Sequence, residues 1–312
     1  MPTVIAVVGP TATGKSALGV SLAKAVGGEV VNADSMQLYR GMDIGTAKLT
    51  EAEREGVVHH LLDVWPVTRT ASAAAYQQLA RDVIDDIRAR GRTPVLVGGS
   101  GLYVRAVIDR IDFPGTDEAL RAGLEAELAT AGPAPLYQRL QQQDPAAAAA
   151  ILPGNGRRIV RALEVIELTG RPFTATLPRY DDRSGAAWCD AVQIGLDLPD
   201  AALDQRVDMR VERMFDAGLV DEVRALETEG LRDGRTARAA LGYRPVLEML
   251  DGTCTEPAAR AATARATRRF VRRQRSWFRR DPRVTWVPTN DGPADDNVIS
   301  AALEVLRSRS AI

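Results

Sequence analysis

The chain has 312 residues, 45% of them hydrophobic and 26% charged, with a formal net charge of −1 and a pI near 6.2. That length supports a large buried core in one domain or two, and the charge excludes nucleic-acid binding through the overall field, so such a partner must meet a local basic patch. No apolar run approaches the ~18 residues of a membrane span, the first residues carry no basic leader, and Cys189 and Cys254 stand alone; a cytoplasmic protein without membrane segment, disulfide framework or zinc site is expected.

Of the 40 basic residues only Lys15, Lys24 and Lys48 are lysines. An arginine-rich, alanine-rich composition of this kind reflects nucleotide bias in the genome, so single arginines carry little weight and Lys15 carries more. The apolar run Val4 to Val8 reads as a strand and Ala17 to Val26 as a helix. Between them stands Gly9-Pro10-Thr11-Ala12-Thr13-Gly14-Lys15-Ser16, with the P-loop spacing G-x-x-x-x-G-K-S in the strand-then-helix context the motif requires. The two glycines let the backbone aim its amides at a phosphate, and the positive end of the following helix adds to that field. Lys15 supplies a full charge, and Ser16 a hydroxyl suited to a magnesium ion bridging phosphate oxygens. A di- or triphosphate is the expected ligand of this loop.

Glu29 to Ala33 reads as a second strand running into Asp34-Ser35-Met36-Gln37. Asp34 then lies just past the carboxyl edge of a strand beside the P-loop, where open parallel sheets place their chemistry. Two readings stay open for it: a carboxylate that holds a magnesium shell or takes a proton, and a turn former or helix cap. His59 and His60, adjacent and without further ligands, fit structural hydrogen bonding. Ser72 to Arg90 has helical spacing, and Pro94 to Val97 is a third strand running into Gly98-Gly99-Ser100-Gly101. A motor-type ATPase needs an acid at the end of such a strand. None stands there, so Asp34 becomes the leading carboxylate; the glycines indicate close backbone approach to a ligand, with Ser100 a hydroxyl at its mouth.

From residue 115 to 190 the pattern is helical, over Glu118–Ala131, Leu136–Gln142, Pro145–Leu152 and Arg157–Thr169. We read an inserted all-helical subdomain that grips a second substrate, within an α/β core of residues 1–114 and 191–312. Ala191 to Leu198 returns to the sheet, and Pro199 opens a helix on which Arg206 and Arg210, at i and i+4, share a face and can both reach a phosphate. Arg260 to Arg280 holds nine arginines and no acid. Its stripe, Arg265, Arg268, Arg272, Arg275 and Arg279, with Phe270, Trp277 and Phe278 on the other side, is either a solvated face or a strip that binds a nucleic-acid backbone; the lack of any acid favours the strip. Val284 to Val287 reads as a last strand and Val298 to Leu306 as a closing helix.

The P-loop, the block Asn32 to Lys48, His59-His60-Leu61-Leu62-Asp63 and Gly98 to Tyr103 together resemble the tRNA dimethylallyltransferases. The likeness continues through Arg157-Arg158-Ile159-Val160-Arg161, Gly242-Tyr243 and Arg273-Gln274-Arg275-Ser276-Trp277-Phe278, and the Asp34 to Lys48 block is its most specific part. The resemblance is to the shorter bacterial form, with Ser16 and Ser100 where the family often has threonine. It implies a P-loop NTPase-like parallel sheet flanked by helices, and transfer of a dimethylallyl group from dimethylallyl diphosphate to the exocyclic amine of the adenosine 3′ to a tRNA anticodon. By resemblance Asp34, Lys15 and Ser100 are catalytic, with Asp34 the general base. The loop Gly9 to Ser16 with Arg206 and Arg210 binds diphosphate, and Ser16 holds Mg2+. The anticodon stem-loop is met by Asp34, Ser35, Met36, Gln37, Ser100, Arg121, Arg157, Arg158, Ile159, Val160, Arg161, Arg268, Arg272, Arg273, Gln274 and Arg275. A monomer is expected. The competing readings are an isopentenyltransferase of free adenine nucleotides, a small-molecule P-loop kinase and a non-catalytic RNA-binding P-loop protein.

Overall fold

A computed structural model describes residues 3–173, 187–289 and 296–309. The chain divides into two compact units, one of Met1–Ile108 with Ala187–Ile312 and the other of Asp109–Ala186. The first is built on a six-stranded sheet: β1 (Val4–Val8), β2 (Glu29–Asn32), β3 (His59–His60), β4 (Pro94–Gly98), β5 (Ala191–Asp197) and β6 (Val284–Pro288). Their spatial order is β3-β2-β4-β1-β5-β6, and every pairing is parallel.

A parallel sheet covered on both faces needs apolar residues at consecutive positions, and β1 shows it. Val4, Ala6 and Val8 enter one core and Ile5 and Val7 the other. Packed on this sheet are α1 (Lys15–Val26), α2 (Ala73–Ala89), α3 (Gly101–Ile108) and α12 (Asp296–Ser308), while α8 (Asp200–Asp216), α9 (Leu219–Thr228), α10 (Tyr243–Leu250) and α11 (Glu256–Arg279) pack on one another, with α11 also meeting α3. Both histidines of β3 make hydrogen bonds, the contacts expected of structural residues: Val57 O lies 2.8 Å from His59 Nδ1, and Glu29 Oε2 lies 2.7 Å from His60 Nε2. Glu29 also takes a forked contact from Arg90, which with His60 pulls its carboxyl down to about 2. That network ties the end of α2 to the sheet edge.

The second unit contains α4 (Glu118–Ala131), α5 (Pro133–Gln143), α6 (Pro145–Ala150) and α7 (Gly156–Thr169), with no strand among its described residues. Each boundary has a local cause. The side chains of Asp117, Asp144 and Asn155 cap the starts of α4, α6 and α7, and Gly170 closes α7 in the left-handed region. Leu124, Leu136, Leu140, Ile159 and Leu163 form a core of the unit's own. The expected span of residues 115–190 therefore starts a few residues inside this unit, and its segment 174–186 lies outside the described residues.

Candidate active site

The order β2-β4-β1 sets three chain crossings side by side at the carboxyl edge of the sheet. Asn32 pairs with Val97 and Val8 with Gly98, so the segment after β2 (Asp34), the turn after β4 (Gly98-Gly99) and the P-loop after β1 all leave the sheet together. A pocket forms there, lined by Thr11, Lys15, Ser16, Asn32, Asp34, Gln37, Thr46, Ala47, Leu49, His59, Leu62, Gly98, Gly99 and Arg210, among others.

The P-loop holds a strained backbone. Gly9 and Gly14 take φ of 128° and 93°, and Ala12 sits at 68°, a region a residue with a Cβ enters only at a cost of about 1–2 kcal/mol. Thr13 is buried and its hydroxyl donates to Pro10 O at 2.9 Å, while Lys15 Nζ donates to the same carbonyl. One amide of the loop is already taken: Thr11 N–H donates to Gln274 Oε1 at 2.9 Å, so the expected phosphate contact of Thr11 is left to its side chain.

Burial, and then the nearby Arg210 guanidinium, push the Lys15 ammonium down to about 7, with Asp34 opposing the fall. Burial lowers Arg210 as well, against the same carboxylate. Two desolvated cations thus face one carboxylate across a polar cleft, and the imbalance favours an anionic ligand. Arg206, one turn earlier on α8, is absent from the lining, so its expected equivalence with Arg210 fails: α8 turns only one of the pair into the pocket.

Asp34 lies in the pocket lining and makes the local bond of a turn former. Its Oδ1 accepts Met36 N–H at 2.9 Å, and among the described residues no hydrogen bond reaches its Oδ2. Asn32, to which the sequence reading gave no role, holds the backbone around it. Asn32 Oδ1 accepts Asp34 N–H at 2.9 Å, and its Nδ2 donates to Asp34 O and Leu61 O, each at 3.0 Å. Gln37 donates to Thr46 O at 3.2 Å and lines the pocket; Ser100 Oγ lies outside the lining and accepts Ser35 N–H at 3.3 Å. Met36 packs partly against the main core.

Gly98 and Gly99 line the pocket, and the glycines after β4 also make room for the chain itself: a Cβ on Gly98 would lie 2.3 Å from Ala33 O, one on Gly99 2.2 Å from Gln274 Nε2, and one on Gly101 2.1 Å from the Trp277 ring. Four expectations need correction. Gln274 does not offer its amide to RNA. It is 5% exposed, and both ends are engaged, Oε1 with Thr11 and Nε2 with Gly99 O at 2.9 Å. Ile159 and Val160 are 0% and 3% exposed and belong to the core of the helical unit, whereas Arg157 and Arg158 beside them are exposed. Arg121 and Arg161 both pair with the buried Glu164.

The fourth concerns α11. Its own sequence lacks acids after Glu256, but α8 brings them across. Arg268 pairs with Asp208, Arg272 with Asp204 at 2.7 Å, and Arg275 with Asp200. Arg279 reaches Asp197 at 3.1 Å. Leu203 and Val207 of α8 meet Val271 beneath this ladder. The exposed stripe is a different one, Arg265, Arg269, Arg273 and Arg280, with Arg273 stacked 5.7 Å from the Phe270 ring.

A six-stranded parallel sheet, a strained glycine loop ahead of α1 and a cation-rich pocket at the sheet's carboxyl edge define a protein of P-loop fold. Within that class the chain belongs to the IPP transferase family, whose model matches residues 37–281. It is 65% identical over 306 residues to the tRNA dimethylallyltransferase of Salinispora arenicola, covering 98% of this chain and 87% of the relative. The Streptomyces coelicolor tRNA dimethylallyltransferase is 65% identical over 294 residues, 94% of this chain and 92% of its own. Among solved structures, the tRNA isopentenylpyrophosphate transferase of Bacillus halodurans matches with a TM-score of 0.71 at 41% identity, covering 99% of this chain and 98% of its own. A eukaryotic dimethylallyltransferase acting on tRNA matches with a TM-score of 0.81 at 24% identity over 99% of this chain and 79% of its own, a likeness of fold.

Among the described residues no helix is long and apolar enough to cross a membrane.

Proposed function

We propose that this protein transfers a dimethylallyl group from dimethylallyl diphosphate to the N6 amine of the adenosine at tRNA position 37, 3′ to the anticodon, and releases diphosphate. It is an enzyme, a prenyltransferase acting on tRNA. The observation that carries the reading is the meeting of Lys15, Arg210 and Asp34 in one pocket.

An adenine amine is a weak nucleophile because its lone pair is delocalised into the ring. The carbon it attacks must therefore carry a group that leaves readily, and an allylic diphosphate does so once its charge is neutralised. Lys15, Arg210 and the P-loop amides other than that of Thr11 supply the neutralisation. The amine becomes acidic as the N–C bond forms, and the free oxygen of Asp34 takes its proton. To reach the pocket the base leaves its stack, at a cost of about a few kcal/mol, and Gln37, Ser35 and the exposed Arg157 and Arg158 are proposed to hold the RNA while it does. Such a substrate places the reaction in the cytoplasm.

Magnesium fits the donor set. Among the described residues no cluster of three or more His, Cys, Asp or Glu could hold a metal by itself. Ser16 offers a hard oxygen donor beside the diphosphate site and would hold the ion there. When bound, it supplies further neutralisation of the leaving charge.

Lys15 gives this reading a pH signature. Free, its ammonium has a pKa of about 7; a bound diphosphate raises it, so above pH 7 binding must take up a proton. At pH 8 calorimetry in two buffers of different ionisation enthalpy is expected to show uptake of roughly one proton per site, most of it absent in Lys15→Met. Equal uptake by the two proteins would remove Lys15 from the diphosphate site.

The exposed stripe of α11 is proposed to meet the RNA backbone. The triple variant Arg265→Ala, Arg269→Ala, Arg273→Ala is expected to reduce the log–log salt dependence of tRNA binding by roughly one unit per lost phosphate contact. Replacing the paired Arg268 and Arg272 leaves the slope alone and lowers stability by about 1 kcal/mol, since exposed pairs contribute little each. The opposite pattern would return the RNA contact to the ladder. Incubation with labelled dimethylallyl diphosphate and either unmodified tRNA or AMP tests the whole reading: label must enter tRNA, and label in AMP alone would replace it by transfer to free nucleotides.

A further inference from the structure

We infer that Glu222 is a positioning residue for the reaction, fixing the Asp43–Thr46 loop that aims Arg210 into the pocket; the inference rests on the diphosphate reading above. Glu222 lies on α9 and is absent from the pocket lining. Its carboxylate accepts three consecutive backbone N–H groups, those of Asp43 at 3.0 Å, Ile44 at 2.6 Å and Gly45 at 3.1 Å. A fourth donor, the Tyr243 hydroxyl, reaches it at 2.6 Å. Successive amides turned toward one point make an anion-holding concavity, and here the chain's own carboxylate fills it. Tyr243 closes the arrangement from the other side: a Cβ on Gly45 would lie 2.5 Å from its ring.

What this loop carries explains why it is held so firmly. Thr46 follows directly, and its carbonyl accepts Arg210 Nη2 at 3.1 Å and Gln37 Nε2 at 3.2 Å. Among the described residues that carbonyl is the hydrogen-bond acceptor Arg210 has. The far end of the loop is pinned by Lys48, whose ammonium bonds Tyr39 O, Asp43 and Asp63. A guanidinium on a long side chain has many rotamers, and a desolvated one needs an acceptor in a set place. Glu222 sets that place from a distance, through a rigid four-residue bridge. It thereby explains two features the sequence offers without a role, the Gly45-Thr46 step and the Gly242-Tyr243 pair.

The test is a double-mutant cycle on Glu222→Gln and Arg210→Ala, read by calorimetric binding of inorganic diphosphate with magnesium and, separately, of tRNA. A neutral amide of the same size cannot serve three N–H donors as a carboxylate does. The single Glu222→Gln variant is expected to weaken diphosphate binding about tenfold, the scale of one charge-assisted hydrogen bond, with tRNA affinity within about twofold. In the Arg210→Ala background the same change is expected to cost less than about twofold, because its route of action is gone. Additive losses, or no loss in the wild-type background, overturn the inference alone. Unchanged diphosphate binding in Arg210→Ala would overturn the pocket reading and the inference with it. Should Glu222→Gln melt below the assay temperature, Gly45→Ala, which pushes the loop off Tyr243 and leaves the carboxylate in place, is carried through the same cycle and judged by the same non-additivity.

Discussion

Asp34→Asn is expected to slow the alkylation step by about 10²–10⁴-fold, the usual contribution of a positioned base, in a protein that folds normally and binds both substrates. The structure sharpens this expectation because it divides the carboxylate between two tasks. Oδ1 accepts Met36 N–H and shapes the turn after β2. An asparagine carbonyl oxygen accepts that bond equally well. The bonds from Asn32 go to the backbone of residue 34 and are indifferent to the change. What asparagine cannot do is accept a proton at neutral pH, so the substitution removes the chemistry and spares the turn. Single-turnover alkylation under saturating dimethylallyl diphosphate and magnesium is the measurement, with binding of each substrate checked apart. A rate within about threefold of wild type would leave Asp34 as a turn former or a member of a magnesium shell.

How far the sequence could be read depended on how local the determining physics was. The strands were legible because full burial on both faces makes a run such as Val4 to Val8 continuously apolar. The four helices of the second unit were legible because Asp117, Asp144, Asn155 and Gly170 act within a few residues of themselves. That the P-loop, Asp34 and Arg210 meet in one pocket was legible because their spacing or position after a strand carries the signal. The remainder turned on partners far away in the chain. The stripe on α11 looked free of acids because its counterions lie on α8, 60 residues earlier for Arg268 and 68 for Arg272. Gln274 reaches Thr11 across 263 residues, and no local pattern distinguishes that amide from one that reads RNA. Glu222 and Asn32 are of the same kind: an acid in the first turn of a helix and an amide at a strand end are common, and only the folded chain reveals what they grip. Ile159 and Val160 carry a usable local signal of burial, since with Leu163 they fall on the apolar face of α7.

Lys15→Met is expected to abolish turnover and, in the unliganded protein, to raise thermal stability. The first effect follows from the leaving group: without the ammonium a diphosphate departs into a pocket whose remaining full charge is Arg210, and a loss of at least about 10³ in rate is the scale for a missing charge-stabilising group. The second follows from the cost of holding a cation there. Lys15 has a pKa of about 7 in the folded chain against an ordinary value of 10.5, so the charged form is the one that folding disfavours. Its penalty is complete below pH 7, where both folded and unfolded chains carry the proton. It fades as pH rises toward the unfolded value, since stability increases with pH wherever the unfolded state binds more protons. The side chain is half-buried, and solvent screening therefore discounts the full shift to about 1–2 kcal/mol. That corresponds to a rise of about 2–4 °C in Tm for a domain of this size. Melting curves at pH 6.5 and pH 9.5 are the check, with the gain larger at the lower pH, and tRNA affinity should stay within about twofold because Lys15 is assigned to the diphosphate. Lower stability at both pH values would show that the Lys15 contact with Pro10 holds the loop together, and a parallel loss of tRNA binding would move this lysine to the RNA interface.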